Sequence, residues 1–129
     1  MSSLNIWPVL IAAASSFLLG GLWYSPAVFG KVWNREAGHR AESGHPIKAL
    51  GLSFLCSLAA ATAFAFLIGP HPPLSKAVLQ GLVMGSCFVA ASFGMNYLHA
   101  DRSVKMWLID GGYHTAQFML FGLIVGLWN

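Results

Sequence analysis

Asp110, His114 and Gln117 fall at spacings of four and three residues near the C-terminal end of the chain, which puts all three on one face of a helix. They interrupt an apolar run, and a charged group there costs at least about 2.5–3.5 kcal/mol to insert into a bilayer. Three chemistries are open to such a face. In a satisfied network, Arg102 or Lys105 holds Asp110, and tyrosine or serine hydroxyls hold His114, fixing helix packing. As a proton-responsive pair, Asp110 and His114 line a route for a substrate or ion. As a ligand, His114 holds a metal, haem or quinone, although His71 and His99 lie at or beyond the ends of the apolar runs and supply no second intramembrane histidine. Asn96 and Ser92, four apart, and Tyr24 reach a similar level, so all of these can converge in one cytoplasm-facing cavity.

No nucleophile with its base, phosphate loop or dinucleotide fingerprint occurs, so an enzymatic reading rests on Asp110 and His114 alone and a non-enzymatic one is preferred. No cofactor is predicted, haem, quinone or metal at His114 being left open. The seven basic residues flank apolar spans and form no face suited to nucleic acid. Cys56 and Cys87 lie inside apolar segments and read as small buried hydrophobes, with no disulfide framework.

The elements that must position this face are membrane spans. Of the 129 residues 57% are hydrophobic and 9% charged, where soluble domains carry about 25% charged residues. Runs of about 20 apolar residues mark spans, and four occur, at approximately 6–23, 47–68, 77–98 and 106–128. The first has no basic residue before it and reads as a retained span rather than a leader. Lys31, Arg35, Arg40 and Lys48 occupy the first connection and Arg102 and Lys105 the third, against Lys76 alone in the second. The positive-inside rule then places the first and third connections in the cytoplasm and both termini outside. The short, proline-rich GPHPPLSK turn predicts that the second and third spans are adjacent and antiparallel.

Ser25 and Pro26 form a helix-start signal after the first span. Val28, Phe29, Val32 and Trp33 then recur at helical spacing with Lys31, Asn34 and Arg35 between them, predicting an amphipathic helix on the cytoplasmic leaflet. Trp23, Phe29, Trp33 and Trp107 are expected as membrane-interface residues. The polar stretch that follows reads as a loop, with His39 and His45 exposed in it and no metal site. Gly21 and Tyr24 followed by Lys31 and Trp33 can be laid beside Gly94 and Tyr97 followed by Lys105 and Trp107, giving two parallel helix-pair repeats. Interface composition alone also favours these residue types, so both origins stay open. Ala12, Ser16 and Gly20, Gly81 and Gly85, and Gly122 and Gly126 form small-residue stripes that let helices approach within a chain or between chains.

The stretches WYSPAVFGKVW and NYLHADRSVKMWLIDGGYH resemble a bacterial family of small four-helix membrane proteins, catalogued as domain of unknown function number 1761. The resemblance covers essentially the whole chain. It implies four spans and a concentration of recurrent residues at Trp23, Tyr24, Ser25, Pro26, Phe29, Gly30, Trp33, Asn96, Asp110, Tyr113 and His114, and it implies no activity. In the family's pattern the position of Asp110 is asparagine in some relatives and that of His99 is more often acidic, which argues against a fixed proton carrier. The chain is therefore expected to be an all-α, integral membrane four-helix bundle of the bacterial inner membrane, probing the lipid bilayer as its partner and forming homo-oligomers. The working function is a carrier or permeation component whose cavity is lined by Tyr24, Asn96, Asp110 and His114; the alternatives are a structural or accessory subunit, and a redox or metal enzyme using His114.

Overall fold

A computed structural model describes residues 5–37 and 46–128, which form helices and no strands. Helix α1 is Ile6–Trp23, α2 is Gly30–Ala37 and α3 is Pro46–Ile68. Helix α4 runs without interruption over Leu74–His99, with a π-helical segment at Met84–Ala90, and α5 is Val104–Leu127. Helices α1, α3 and α4 are long and apolar enough to cross a membrane. The expected loop with Arg40, His39 and His45 lies outside the described residues.

The helix starts follow from local chemistry. Asn5 caps α1 by accepting from the Trp7 N–H at 3.1 Å, and Ser103 caps α5 by accepting from the Met106 N–H at 3.1 Å. The expected start at Ser25 and Pro26 is corrected. Ser25 Oγ donates to the Leu22 carbonyl at 2.7 Å instead of capping, residues 26–29 form a turn, and α2 begins at Gly30. A Cβ at Gly30 would lie 2.3 Å from the Tyr24 carbonyl oxygen, so only glycine allows the chain to fold back this tightly.

Helix α5 is the centre of the assembly, packing against α4 along its length, against α1, and more lightly against α2 and α3. Helix α3 packs mainly on α1, and α3 and α4 barely meet, so the predicted adjacency of the second and third spans is corrected. The turn between them carries a left-handed Gly69 at φ 78°, but what decides the packing is glycine. A Cβ on Gly81 would lie 2.2 Å from the Phe118 carbonyl oxygen, and one on Gly122 would lie 2.2 Å from that of Ala77. Both stripes therefore draw α4 and α5 into backbone contact, while α3 packs on α1 and α5 rather than on α4. The stripe on α1 is also used inside the chain, because Ala12 and Ser16 are fully buried and Gly20 faces the Tyr113 ring.

The apolar core lies between α1, α3 and α5, around Val9, Ala12, Ala13, Ala61, Phe64 and Phe121. Phe64 and Phe121 pack with centroids 6.1 Å apart. Cys56 and Cys87 are free thiols on the outer surface rather than the buried residues expected from the sequence. In an apolar span a small side chain suits a lipid-facing position as well as a buried one.

Candidate functional site

Asp110 sits about 9 Å along α5 from its first residue, at the standard rise per residue, and is only 6% exposed. Its Oδ1 accepts from Tyr24 Oη at 2.5 Å and from Trp33 Nε1 at 3.0 Å, and its Oδ2 accepts from Tyr97 Oη. The three donors come from the end of α1, from α2 and from the last turns of α4. One carboxylate thus ties three segments to α5. The sequence offered Arg102 or Lys105 as its partner, and this is corrected, for the donors are two phenols and an indole. Uncharged donors hold an anion without bringing in a second charge that would also have to leave water. Tyr24 and Trp33 also meet edge to face with centroids 6.1 Å apart. Burial first, and then the bond to Asp110, push the Tyr24 phenol well above its ordinary range.

A second polar chain continues from the same helix face. His114 Nδ1 meets Gln117 Oε1 at 2.8 Å, Gln117 Nε2 donates to Ser16 Oγ at 3.3 Å, and Ser16 Oγ lies 2.6 Å from Ser57 Oγ. Gln117 and Ser16 are 5% and 0% exposed, so this chain links α5, α1 and α3 through the core. Tyr113 Oη donates to the Ser16 carbonyl at 2.9 Å. Among the described residues no fully buried side-chain nitrogen or oxygen lacks a hydrogen-bond partner.

The tryptophans expected at the membrane interface also make hydrogen bonds within the protein. Trp23 Nε1 donates to the Ile109 carbonyl at 2.9 Å, and Trp107 Nε1 to the Ala90 carbonyl at 2.8 Å, at the end of the π-helical segment. With Trp33 on Asp110, all three indole N–H groups are used inside the protein instead of on lipid headgroups. Phe29, in the turn before α2, packs on Trp23 with centroids 5.1 Å apart, and Trp33 turns from α2 toward Tyr24 and Asp110.

The structure therefore brings together Tyr24, Asp110, Tyr113, His114 and Gln117 among the candidates. Asn96 and Ser92 are exposed on α4 and do not join them, which corrects the expected cavity lining. Reasoning from the sequence missed Tyr97, Trp33 as a polar partner, Ser16 and Ser57. Tyr97 carried a signal, since the repeat alignment pairs it with Tyr24, and these two tyrosines meet on one carboxylate. Ser16 and Ser57 carried only their polarity within apolar runs.

Residues 7–126 match the family described as protein of unknown function, DUF1761. The chain belongs to that family. DUF1761 thereby accounts for nearly the whole chain, including every residue of both polar clusters. No curated protein and no solved structure matches the chain. Among the described residues no three histidine, cysteine, aspartate or glutamate side chains come together as a metal site would require.

Proposed function

We propose that this DUF1761 protein is a four-span membrane subunit whose Asp110 cluster locks one end of the helix assembly, a structural role rather than an enzymatic one. The observation that carries it is the convergence of Tyr24, Trp33 and Tyr97 on one buried carboxylate. Helix α5 supplies the fourth span in this reading, with 24 residues, or about 36 Å. Its Asp110 and Gln117 are buried against the other helices, and its outer half, from Phe118 to Leu127, is apolar. The bacterial inner membrane and external termini belong to the same reading, supported by Lys31, Arg35, Lys48, Arg102 and Lys105 gathering at the α2 end.

The test is Asp110→Asn beside Tyr24→Phe and Tyr97→Phe in detergent-solubilised protein. A structural lock predicts graded loss of stability in all three. Full stability in Asp110→Asn would refute it.

A carrier or permeation role is the second reading, favoured by one observation: α1 and α4 both pack on α5 and barely touch each other, leaving His114 between them. Homo-oligomers remain part of the proposal on different grounds from the sequence. The glycine stripes are used within the chain, and the support passes to the outer face of α3, where Leu55, Leu58, Ala59, Ala63 and Phe66 line an apolar groove of about 590 Å³.

A further inference from the structure

His114 is held in one tautomer by the groups behind it. Ser16 has two outlets for its hydroxyl proton, the Ala13 carbonyl at 3.1 Å and Ser57 Oγ at 2.6 Å, and toward Gln117 it accepts. Gln117 presents its amide nitrogen to Ser16 and its oxygen to His114, an arrangement that matches a proton on Nδ1. Nε2 is left with a bare lone pair. It has no hydrogen-bond partner among the described residues, and it is not a buried atom.

The surroundings of that lone pair are aromatic. The Phe93 ring of α4 and the Tyr113 ring each lie 4.9 Å from the imidazole centroid, and Tyr113 is anchored to α1 through the Ser16 carbonyl. The imidazole thus stands between Phe93 of α4 and Tyr113 of its own helix, on the side of α5 where α1 and α4 barely meet. At about 15 Å along a helix of about 36 Å it lies at the depth of the hydrocarbon centre, if α5 spans the bilayer as proposed above. A ligand reaching it sideways must dissolve in lipid, must offer a hydrogen-bond donor to an acceptor-only nitrogen, and gains from a planar ring beside Phe93 and Tyr113.

We propose that His114 Nε2 is the contact atom of a lateral binding site between α1 and α4, and that the site takes a lipid-soluble phenol or quinol through its hydroxyl. The proposal concerns binding alone and deepens the carrier reading. It distinguishes reduced from oxidised ring, because a quinone has no hydroxyl to donate.

The experiment uses full-length protein labelled with ¹⁵N-histidine in lipid nanodiscs, titrated with decylubiquinol and, separately, decylubiquinone. The expected result is a bare-nitrogen Nε2 resonance for His114 that moves upfield and saturates with the quinol, with affinity at least tenfold weaker for the quinone. Phe93→Ala should weaken the quinol without altering the tautomer, and Gln117→Ala should release the tautomer without unfolding the protein. Equal binding of both probes, or an Nε2 resonance that neither moves, overturns the proposal. Loss of the bare-nitrogen signal before any probe is added, restored on dilution of the protein, would show a second copy of the chain covering the site and also overturns it. Paramagnetic broadening by lipids spin-labelled near the chain end separates the underlying reading: unbroadened His114 signals refute a spanning α5, whereas broadened signals without a quinol response refute the ligand alone.

Discussion

Gly122→Ala isolates the close approach of α4 and α5. A Cβ at this position would lie 2.2 Å from the Ala77 carbonyl oxygen and 3.0 Å from Val78 Cα, whereas ordinary contact begins at 3.4 Å. The two backbones must therefore part by about 1.2 Å, the difference between 3.4 and 2.2 Å, with no flexible side chain to yield. Overpacking costs typically 1–3 kcal/mol, and a backbone-on-backbone clash belongs at the upper end, about 3 kcal/mol. Alanine's better helix propensity offsets up to about 1 kcal/mol of that. The net expectation is a loss of about 2 kcal/mol. Gly51→Ala is the matched control, because a Cβ there meets nothing within 4 Å and only the propensity gain of up to about 1 kcal/mol remains. Equilibrium unfolding by SDS in mixed micelles, followed by far-ultraviolet circular dichroism, reads both. The same chemical change should carry opposite signs at the two sites. If Gly122→Ala proves as stable as Gly51→Ala, α4 and α5 do not pack through these glycines and the displacement of α3 from α4 loses its explanation.

Removing a donor from the Asp110 cluster should cost about 1.5–3 kcal/mol, the range for hydrogen bonds to charged groups. The same unfolding assay on Tyr97→Phe and Tyr24→Phe checks this, and unchanged midpoints would contradict it. Trp33→Phe should free α2 first, seen as faster proteolysis near Lys31 and Arg35 with the remaining helices intact. Ser16→Ala should destabilise by about 1–3 kcal/mol, since it strips a buried partner from Gln117 and Ser57 at once. The Tyr24 phenol is held protonated in the folded protein, whereas the unfolded chain releases that proton near pH 10. Its contribution is therefore complete below about pH 10 and declines as pH rises above it, and Tyr24→Phe should flatten the stability profile there.

Legibility in the sequence followed the range over which each interaction acts. The apolar runs and the shared face of Asp110, His114 and Gln117 depend on hydrophobicity and helical spacing, both local, and the runs fall on the helices α1, α3, α4 and α5, of which the first three are long and apolar enough to cross a membrane. Which helices become neighbours is not local. The glycines of α4 and α5 announced a close approach, but only the structure pairs Gly81 with Phe118 and Gly122 with Ala77. Asp110 shows the same limit, for nearby cations in the chain suggested ion pairing while its donors came from more distant segments. Asn96 was placed in the site by its depth on α4, and helical phase turned it outward.

The two halves of the molecule bear on the origin of the cluster. At one constant offset Lys31 aligns with Lys105, Trp33 with Trp107 and Glu36 with Asp110, while Tyr24 and Tyr97 align after a single gap. In this register α2 corresponds to the first turns of α5, and Glu36 to the carboxylate at the centre of the site. The tyrosines have kept equivalent tasks, each donating to Asp110. The tryptophans have not, because Trp33 reaches the carboxylate and Trp107 reaches the Ala90 carbonyl. A symmetric pair of sites would need an acid in each half, meeting donors from the other. Here one acid takes the tyrosines of both halves, and Glu36 lies on the short α2. If the halves share an ancestor, the acid of the first half gave up a site of its own, and α2 became a clamp on the second through Trp33.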